Sequence, residues 1–556
     1  MRLSLQLPGI ALLVITLVLV GGCRESPQAE FDQVSLERRE DLSESLANDL
    51  LKLSIAVRDR DYATLERFFS ESVRATPWPR EVPEAIPVVK WIGRRDWKFS
   101  ATPESSSRDD FLVAFRGFLD RFREIDDARF KVKTAEFGSE AADRGTANVK
   151  FFLVGRNEVE RREWVRGTAR IEAGRDGDDP WRISVFELES LESVVSADDL
   201  FSEVAFPAGV SALFPPFGEG RNEGFVSHGA ATADVDGDGL FDLAASGVEQ
   251  NYLYLNQGDG SFRDVSEESL VKFAPIGSGV LFFDYDNDGD SDLFFAAVGR
   301  QVLLENRFVP DGELRFWDVS EKADVDHPAV GFSVVATDVN SDGFTDVYVC
   351  SYNRYGTVMP NSWYRATNGT PNLLFLNQGD GTFREAASDW GVVDSRWSYA
   401  AGFVDIDTDG DQDLYVANDF GENALYRNEG DRFVDVAESF GLQDPGFGMG
   451  VSFGDYDNDG DLDLHVTNMS STAGQRILKT LYPEGHEIRK TLSKQAAGNS
   501  LYENAGDGSF HSVTAAVGGL PGGWAFGGGF LDFDNDGWQD LYTPNGFVSG
   551  KTMDDT

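Results

Sequence analysis

A nine-residue pattern, D-x-[DN]-x-D-G-x-x-D, occurs six times in the C-terminal two-thirds of this 556-residue chain, starting at Asp234, Asp284, Asp338, Asp405, Asp455 and Asp532. The first, third, fifth and ninth residues of each copy offer side-chain oxygens, and the seventh offers its backbone carbonyl. That is the hard-oxygen shell calcium prefers. The candidate ligands are Asp234, Asp236, Asp238 and Asp242; Asp284, Asp286, Asp288 and Asp292; Asp338, Asn340, Asp342 and Asp346; Asp405, Asp407, Asp409 and Asp413; Asp455, Asp457, Asp459 and Asp463; and Asp532, Asp534, Asp536 and Asp540. Glycine at every sixth position allows the sharp turn that brings both ends of the loop onto one ion. Asp290, Asp411 and Asp461 stand at seventh positions, where the backbone carbonyl serves, and are read as solvated.

Each loop runs into a short β-branched and aromatic segment, LFFAA, VYVCS, LYVAN, LHVTN and LYTPN from the second loop onward, which suits a strand. An EF-hand would place its last ligand three positions further on and flank the loop with helices. Thrombospondin-type repeats would need frequent cysteines, and this chain has two. Alternating with the loops are hairpins, LYLNQGDGSFRDV (253–265), LFLNQGDGTFREA (374–386), LYRNEGDRFVDV (425–436) and LYENAGDGSFHSV (501–513), with a worn copy over 303–319. Two hairpins per repeat make a four-stranded blade, and successive loops begin 50, 54, 67, 50 and 77 residues apart. That period predicts an all-β propeller of six blades, with seven as the alternative. FSEV (201–204) resembles the outer strands FRDV, FWDV and FVDV, so the strand entering the propeller is expected to complete the last blade.

These loops and hairpins resemble FG-GAP or VCBS repeats. The run from about Phe201, with NMSSTAGQRI (468–477), GNSLYENAGDGSF (498–510) and WAFGGGFLDFDNDGWQDLYTPNG (524–546), resembles the bacterial relatives of the cartilage acidic protein family. The resemblance implies an integrin-like propeller with calcium on its blade loops. Family members often carry seven blades and a further ASPIC/UnbV module.

At the start, Arg2, an apolar core from Ile10 to Val20, and then Gly21-Gly22-Cys23 follow the order of a bacterial lipoprotein signal. The apolar run is short for a membrane span. Residues 1–22 are therefore expected to be a signal peptide and 23–35 a tether, with lipidated Cys23 as the only membrane contact and an extracytoplasmic address. Arg24 in place of an acidic residue favours the outer membrane or cell surface. Cys350 is the other cysteine and reads as a buried small hydrophobe on the strand after the third loop.

Residues 36–200 read as a smaller α+β domain. Helical periodicity is expected over 36–61, 63–73 and 109–125, followed by the long strands FKVKTAEF, TANVKFFLVG, EWVRGTARIEA and WRISVFELESL. Helices followed by a curved antiparallel sheet resemble the SnoaL-like, nuclear-transport-factor-like cone. Residues 201–556 then form the propeller.

Charge divides unevenly. Residues 24–200 hold 29 basic and 37 acidic side chains, whereas 201–556 hold 19 and 58, a net of −39. Such an excess argues against nucleic-acid binding, and packing carboxylates around an empty site is repulsive. The five histidines, His228, His327, His465, His486 and His511, fall in no metal or nucleophile motif, and none precedes residue 228. The reading is a lipid-anchored calcium-binding propeller, not an enzyme, acting as a scaffold for a protein or glycan ligand. The alternative is a polysaccharide-active hydrolase or lyase that uses the propeller face or the cone pocket.

Overall fold

Leu42, Leu46, Leu50, Leu53 and Val57 recur every three or four residues and are all buried, so helix α1 (Gln33–Arg58) lays one apolar face against a sheet. The computed structural model describes residues 33–100, 102–138, 143–177, 179–196, 201–211, 229–247, 249–275, 277–353, 358–471, 474–475, 478, 481–482, 485–518, 520 and 522–544. The expected signal peptide, Cys23 and His228 lie outside the described residues. The chain divides into two compact units between Leu200 and Phe201.

In the first unit, α1 is followed by α2 (Tyr62–Leu65) and α3 (Arg108–Leu119), and by strands β1 (Phe69–Ala75), β2 (Ile86–Val89), β3 (Ile92–Asp96), β4 (Glu104–Ser107), β5 (Phe122–Phe137), β6 (Arg144–Asn157), β7 (Arg162–Gly174) and β8 (Arg182–Ser196). The sheet order is β2-β3-β8-β7-β6-β5, with β1 parallel to β8 and antiparallel to β4. Register shifts within the β5–β6 and β7–β8 pairs mark bulges, which bend long strands. The Phe130 N–H donates to Ser54 Oγ at 2.9 Å, tying α1 to β5. Trp78 stacks on Phe115 at 4.7 Å and lies 4.9 to 6.1 Å from Phe118, Phe186 and Phe151. All five rings are buried, and they fill the space between α3 and the sheet.

Two helix expectations are corrected here. Helix over 63–73 stops at Leu65 and a short 3₁₀ turn; Phe69–Ala75 is instead a strand, because Phe69, Val73 and Ala75 are its buried positions and Arg74 and Ala75 pair with Val185 and Phe186 of β8. Helix over 109–125 ends at Leu119, and Phe122 begins β5 by pairing with Asn157. In both places tertiary pairing outweighs local periodicity.

Among its described residues the second unit contains five repeats of four antiparallel strands. Their strands are Ala230–Ala233, Asp242–Ala245, Tyr252–Asn256 and Phe262–Asp264; Gly277–Phe283, Asp292–Arg300, Val302–Asn306 and Phe316–Asp318; Pro328–Thr337, Asp346–Ser351, Leu373–Asn377 and Phe383–Glu385; Ser398–Val404, Asp413–Asn418, Ala424–Asn428 and Phe433–Asp435; and Gly448–Gly454, Asp463–Asn468, Ser500–Asn504 and Phe510–Ser512. A sixth repeat has two described strands, Gly529–Leu531 and Asp540–Tyr542. The second and third repeats are further joined by pairing of Val298–Arg300 with Pro328–Val330. Each repeat packs face to face on the next. Leu253 and Val302 share one buried core, Phe294 and Val349 the next, Tyr348 and Leu414 the third, and Tyr415 and Leu464 the fourth.

FSEV (201–204) is not a strand, contrary to expectation. It precedes a one-turn helix, α4 (Ala205–Ala208), and its Phe201 ring lies 6.1 Å from Phe533 and 5.8 Å from Tyr542 in the last repeat. The insertion after Asn468 carries a helix at Glu487–Gln495, with parts of 472–484 outside the described residues.

Candidate metal-binding loops

All six D-x-[DN]-x-D-G-x-x-D loops link the first and second strands of a repeat, and their hydrogen bonds follow one scheme. The first-position carboxylate accepts from the N–H groups of the fifth and sixth residues, as Asp234 does from Asp238 at 3.1 Å and Gly239 at 2.9 Å. The same pair recurs at Asp284, Asp338, Asp405, Asp455 and Asp532. Two residues per loop take left-handed backbone: the sixth-position glycine, and the fourth position, where Gly237, Asn287, Ser341, Thr408, Asn458 and Asn535 have φ between 55° and 73°. The fourth position escaped the sequence reading, although its preference for Gly, Asn and Ser is the signal of that geometry.

The ninth-position aspartates do structural as well as ligand work. Oδ2 of Asp242, Asp292, Asp346, Asp413 and Asp463 accepts from the N–H of the loop's second residue at 3.0 Å, and that of Asp540 does so at 3.4 Å. In the first five, Oδ1 accepts at 2.7 to 2.9 Å from the N–H of an asparagine on the third strand, Asn256, Asn306, Asn377, Asn428 or Asn504. These asparagines also escaped the sequence reading. Burial pushes the carboxyl of Asp292 up to about 8, those of Asp346 and Asp413 to about 7 and that of Asp463 to about 6, against the pull of those two N–H donors.

The structure brings first, third and ninth carboxylates together. One oxygen from each of Asp234, Asp236 and Asp242 lies within 4.8 Å of the others, and the same holds for Asp284, Asp286 and Asp292; Asp405, Asp407 and Asp413; Asp455, Asp457 and Asp463; and Asp532, Asp534 and Asp540. In the third loop Asn340 replaces one carboxylate, donating to Asp342 Oδ2 at 2.9 Å. Fifth-position Asp238, Asp288, Asp342, Asp409, Asp459 and Asp536 stand outside those trios, and Oδ1 of each accepts from the seventh residue's N–H.

A divalent cation fits this donor set. Oδ1 of Asp236, Asp407, Asp457 and Asp534 is buried without a hydrogen-bond partner, a costly state for a carboxylate unless something cationic meets it. Among the seventh-position aspartates, Asp290 departs from the solvated expectation. It is buried, its Oδ2 accepts from Val309 N–H at 2.8 Å, and its Oδ1 has no partner, so its carboxyl is pushed up to about 6. Asp411 is half-buried with the same unpartnered Oδ1.

The FG-GAP-like repeat family matches residues 234–295, 338–416, 405–466 and 492–543, which takes in all six loops. The chain carries FG-GAP-like repeats. Human cartilage acidic protein 1 is 24% identical to the repeat-bearing chain over 253 residues, covering 42% of this chain and 38% of that protein. The Xenopus tropicalis protein of the same name is 26% identical over 172 residues, covering 30% and 25%. The chain thus spans well under half the length of these curated relatives. Among solved structures, a nuclear transport factor 2-like superfamily protein from Salmonella enterica is 9% identical, with 28% of this chain and 92% of that one covered at a TM-score of 0.20.

Outside the FG-GAP loops, Cys350 is fully buried and free, as its strand position predicts, and burial raises its thiol. His465 is buried with neither ring nitrogen partnered, and burial lowers it to about 4, so the ring is neutral at physiological pH. Among the described residues no helix is long and apolar enough to cross a membrane.

Proposed function

We propose that this chain is an extracytoplasmic, lipid-anchored β-propeller, built on calcium, that acts as a scaffold for a protein or glycan ligand. The observation that carries the reading is the recurrence, in FG-GAP-like repeats, of three converging carboxylates, in four of the five trios with a third-position oxygen that is buried and unpartnered. Calcium held by the first, third and ninth residues neutralises that charge and locks the turn between paired strands. The ion is structural in this account.

Closure into a six-bladed ring is supported by a contact repeated around the unit. Gly391 and Gly441, each ending a one-turn helix after an outer strand, sit so that a Cβ would lie 3.0 Å from the carbonyl of the next repeat's outer strand, at Phe433 and Phe510. Gly209, ending α4 after FSEV, has the same relation to Phe262 of the first repeat at 2.9 Å. FSEV, with Phe201 against the last repeat, thus bridges last to first in place of a hydrogen-bonded outer strand. Seven blades would break this step from Phe201 to Phe262.

The extracytoplasmic address rests on the calcium loops, which suit millimolar calcium, and on the signal-like order ending at Cys23. Replacing Cys23 with Ser is expected to move the protein from the membrane fraction to the soluble one. Binding is tested by probing arrays of glycans and extracellular matrix proteins with the intact chain, in calcium and in chelator. Calcium-dependent retention on a defined class is expected; retention indifferent to calcium, or none, overturns the scaffold reading.

A further inference from the structure

Each repeat meets the next through a pair of side chains on its second strand. Phe294 and Ala296 turn from the second repeat toward the third, Tyr348 and Cys350 from the third toward the fourth, and Tyr415 and Ala417 from the fourth toward the fifth, each pair inside a buried apolar core. In the fifth repeat the same two positions of the strand are His465 and Thr467. They face the sixth repeat, where a Cβ on Gly528 would lie 3.2 Å from both His465 Cε1 and Thr467 Cγ2. Ser452 pairs with His465 in the sheet and so shares that face. His465 Nδ1 and Nε2, Ser452 Oγ and Thr467 Oγ1 are all buried without a hydrogen-bond partner.

The sixth repeat does not fill this seam with apolar side chains. Gly527 and Gly528 lie against it, and a Cβ on Gly527 would meet no atom within 4 Å. Among the described residues after Phe510, Ala525 is the one buried apolar side chain, and Tyr542, whose counterparts Phe294, Tyr348 and Tyr415 are fully buried, is 53% exposed. Where the four preceding seams have apolar cores, the fifth buries unsatisfied polar atoms, which is costly. Hydrogen bonds at the two ends of the seam hold it shut. Asn458 Nδ2, in the fifth metal loop, donates to Gly537 O in the sixth at 3.0 Å, and at the other end of the strand the Ser470 N–H donates to Gly523 O at 2.7 Å.

We propose that the sixth repeat is a calcium-latched gate: ions in the fifth and sixth loops hold Asn458 against Gly537, and without them this repeat parts from the fifth ahead of every other seam. The parting repeat stays tethered through Ser470 and Gly523, and it uncovers the face that carries Ser452, His465 and Thr467. The inference rests on the calcium reading above and goes beyond it, because the ion then controls one seam in addition to bracing each loop. The asymmetry follows from packing, since a seam with an apolar core keeps its main source of stability when the metal leaves, whereas the fifth seam has none to keep.

The test is amide hydrogen exchange of the intact protein, read by mass spectrometry in calcium and in chelator. Chelation is expected to speed exchange over residues 522–544 at least about tenfold more than over the third and fourth repeats. Ser452→Ala combined with Thr467→Val removes two unpartnered hydroxyls without adding bulk, and should slow exchange of that segment in chelator by about tenfold or more. Asn458→Gly keeps the left-handed backbone and removes the amide, so it should speed exchange of the same segment even in calcium. A chelator response equal in all repeats, or exchange unchanged in both variants, overturns the gate and leaves the calcium reading standing. No response to chelator in any repeat overturns both.

Discussion

The side chain of Asn377 donates through Nδ2 to the backbone carbonyl of Tyr285 at 2.8 Å, across 92 residues of chain, while its own N–H donates to Asp346 Oδ1 at 2.7 Å. One residue therefore joins the loop of its own repeat to the loop of the preceding one. Asn306 makes the same reach to Val235 at 3.0 Å and Asn428 to Val339 at 2.9 Å. Fourth-position asparagines add links in the other direction, from Asn287 to Gly343 O at 3.2 Å and from Asn458 to Gly537 O at 3.0 Å. The first four loops are thus a hydrogen-bonded series and the fifth is joined to the sixth, so a cation held in one is expected to restrain the loops bonded to it.

Replacing Asn377 with Ala should cost about 1–3 kcal/mol, because the buried Tyr285 carbonyl loses its partner. It should also weaken calcium binding in both the second and third loops. Chemical unfolding at saturating calcium, with metal counting on the variant, measures the two effects.

Third-position and ninth-position aspartates should separate. Asp407 carries an unpartnered buried oxygen, so Asp407→Asn should leave stability in chelator nearly unchanged while reducing calcium binding. Asp413 accepts from Ile406 N–H at 3.0 Å and Asn428 N–H at 2.7 Å, and Asp413→Asn turns one acceptor into a donor facing a donor. That variant should lose about 1–3 kcal/mol even in chelator. Denaturant titrations in chelator check both.

The calcium-free protein should lose stability as pH rises. Burial holds Asp292 at about 8, and Asp346 and Asp413 at about 7, so these carboxyls keep protons that the unfolded chain has already shed. From about pH 4 to pH 8 the folded state binds more protons than the unfolded one, and the stability slope is negative. Calcium binds the ionised form, so the gap in Tm between calcium-loaded and chelated protein should widen from pH 5 to pH 8. Thermal melts at the two pH values test this.

Ring closure can be tested at Gly209, where φ is +80° and a Cβ would meet the Phe262 carbonyl at 2.9 Å. Gly209→Val should cost about 1–3 kcal/mol and open the second unit to limited proteolysis ahead of the first.

The loops and hairpins were legible because ligand spacing, glycine and turn residues all lie within about a dozen positions of each other. The long strands of the first unit were legible for the same local reason. Phe69–Ala75 was not, since it is a strand only by virtue of pairing with Val185 and Phe186, more than a hundred residues away. Asn306, Asn377 and Asn428 look like ordinary hairpin residues, and their reach to the preceding loop depends on how the repeats stack. Asp290 reads as a solvated seventh position, and only the fold around Val309 buries it.

The most direct measurement is the melting temperature of the protein across a calcium titration, paired with a count of bound metal. Extracellular-type sites bind at roughly 0.1 to 1 mM, so at millimolar calcium each contributes about 0.4 to 1.4 kcal/mol. Five or six such sites together are comparable with a domain's net stability. A large calcium-dependent rise in Tm with five or six ions bound, reduced in a variant with Asp284, Asp286 and Asp288 all changed to Ala, is the predicted result. No shift and no bound metal would contradict a fold built on calcium.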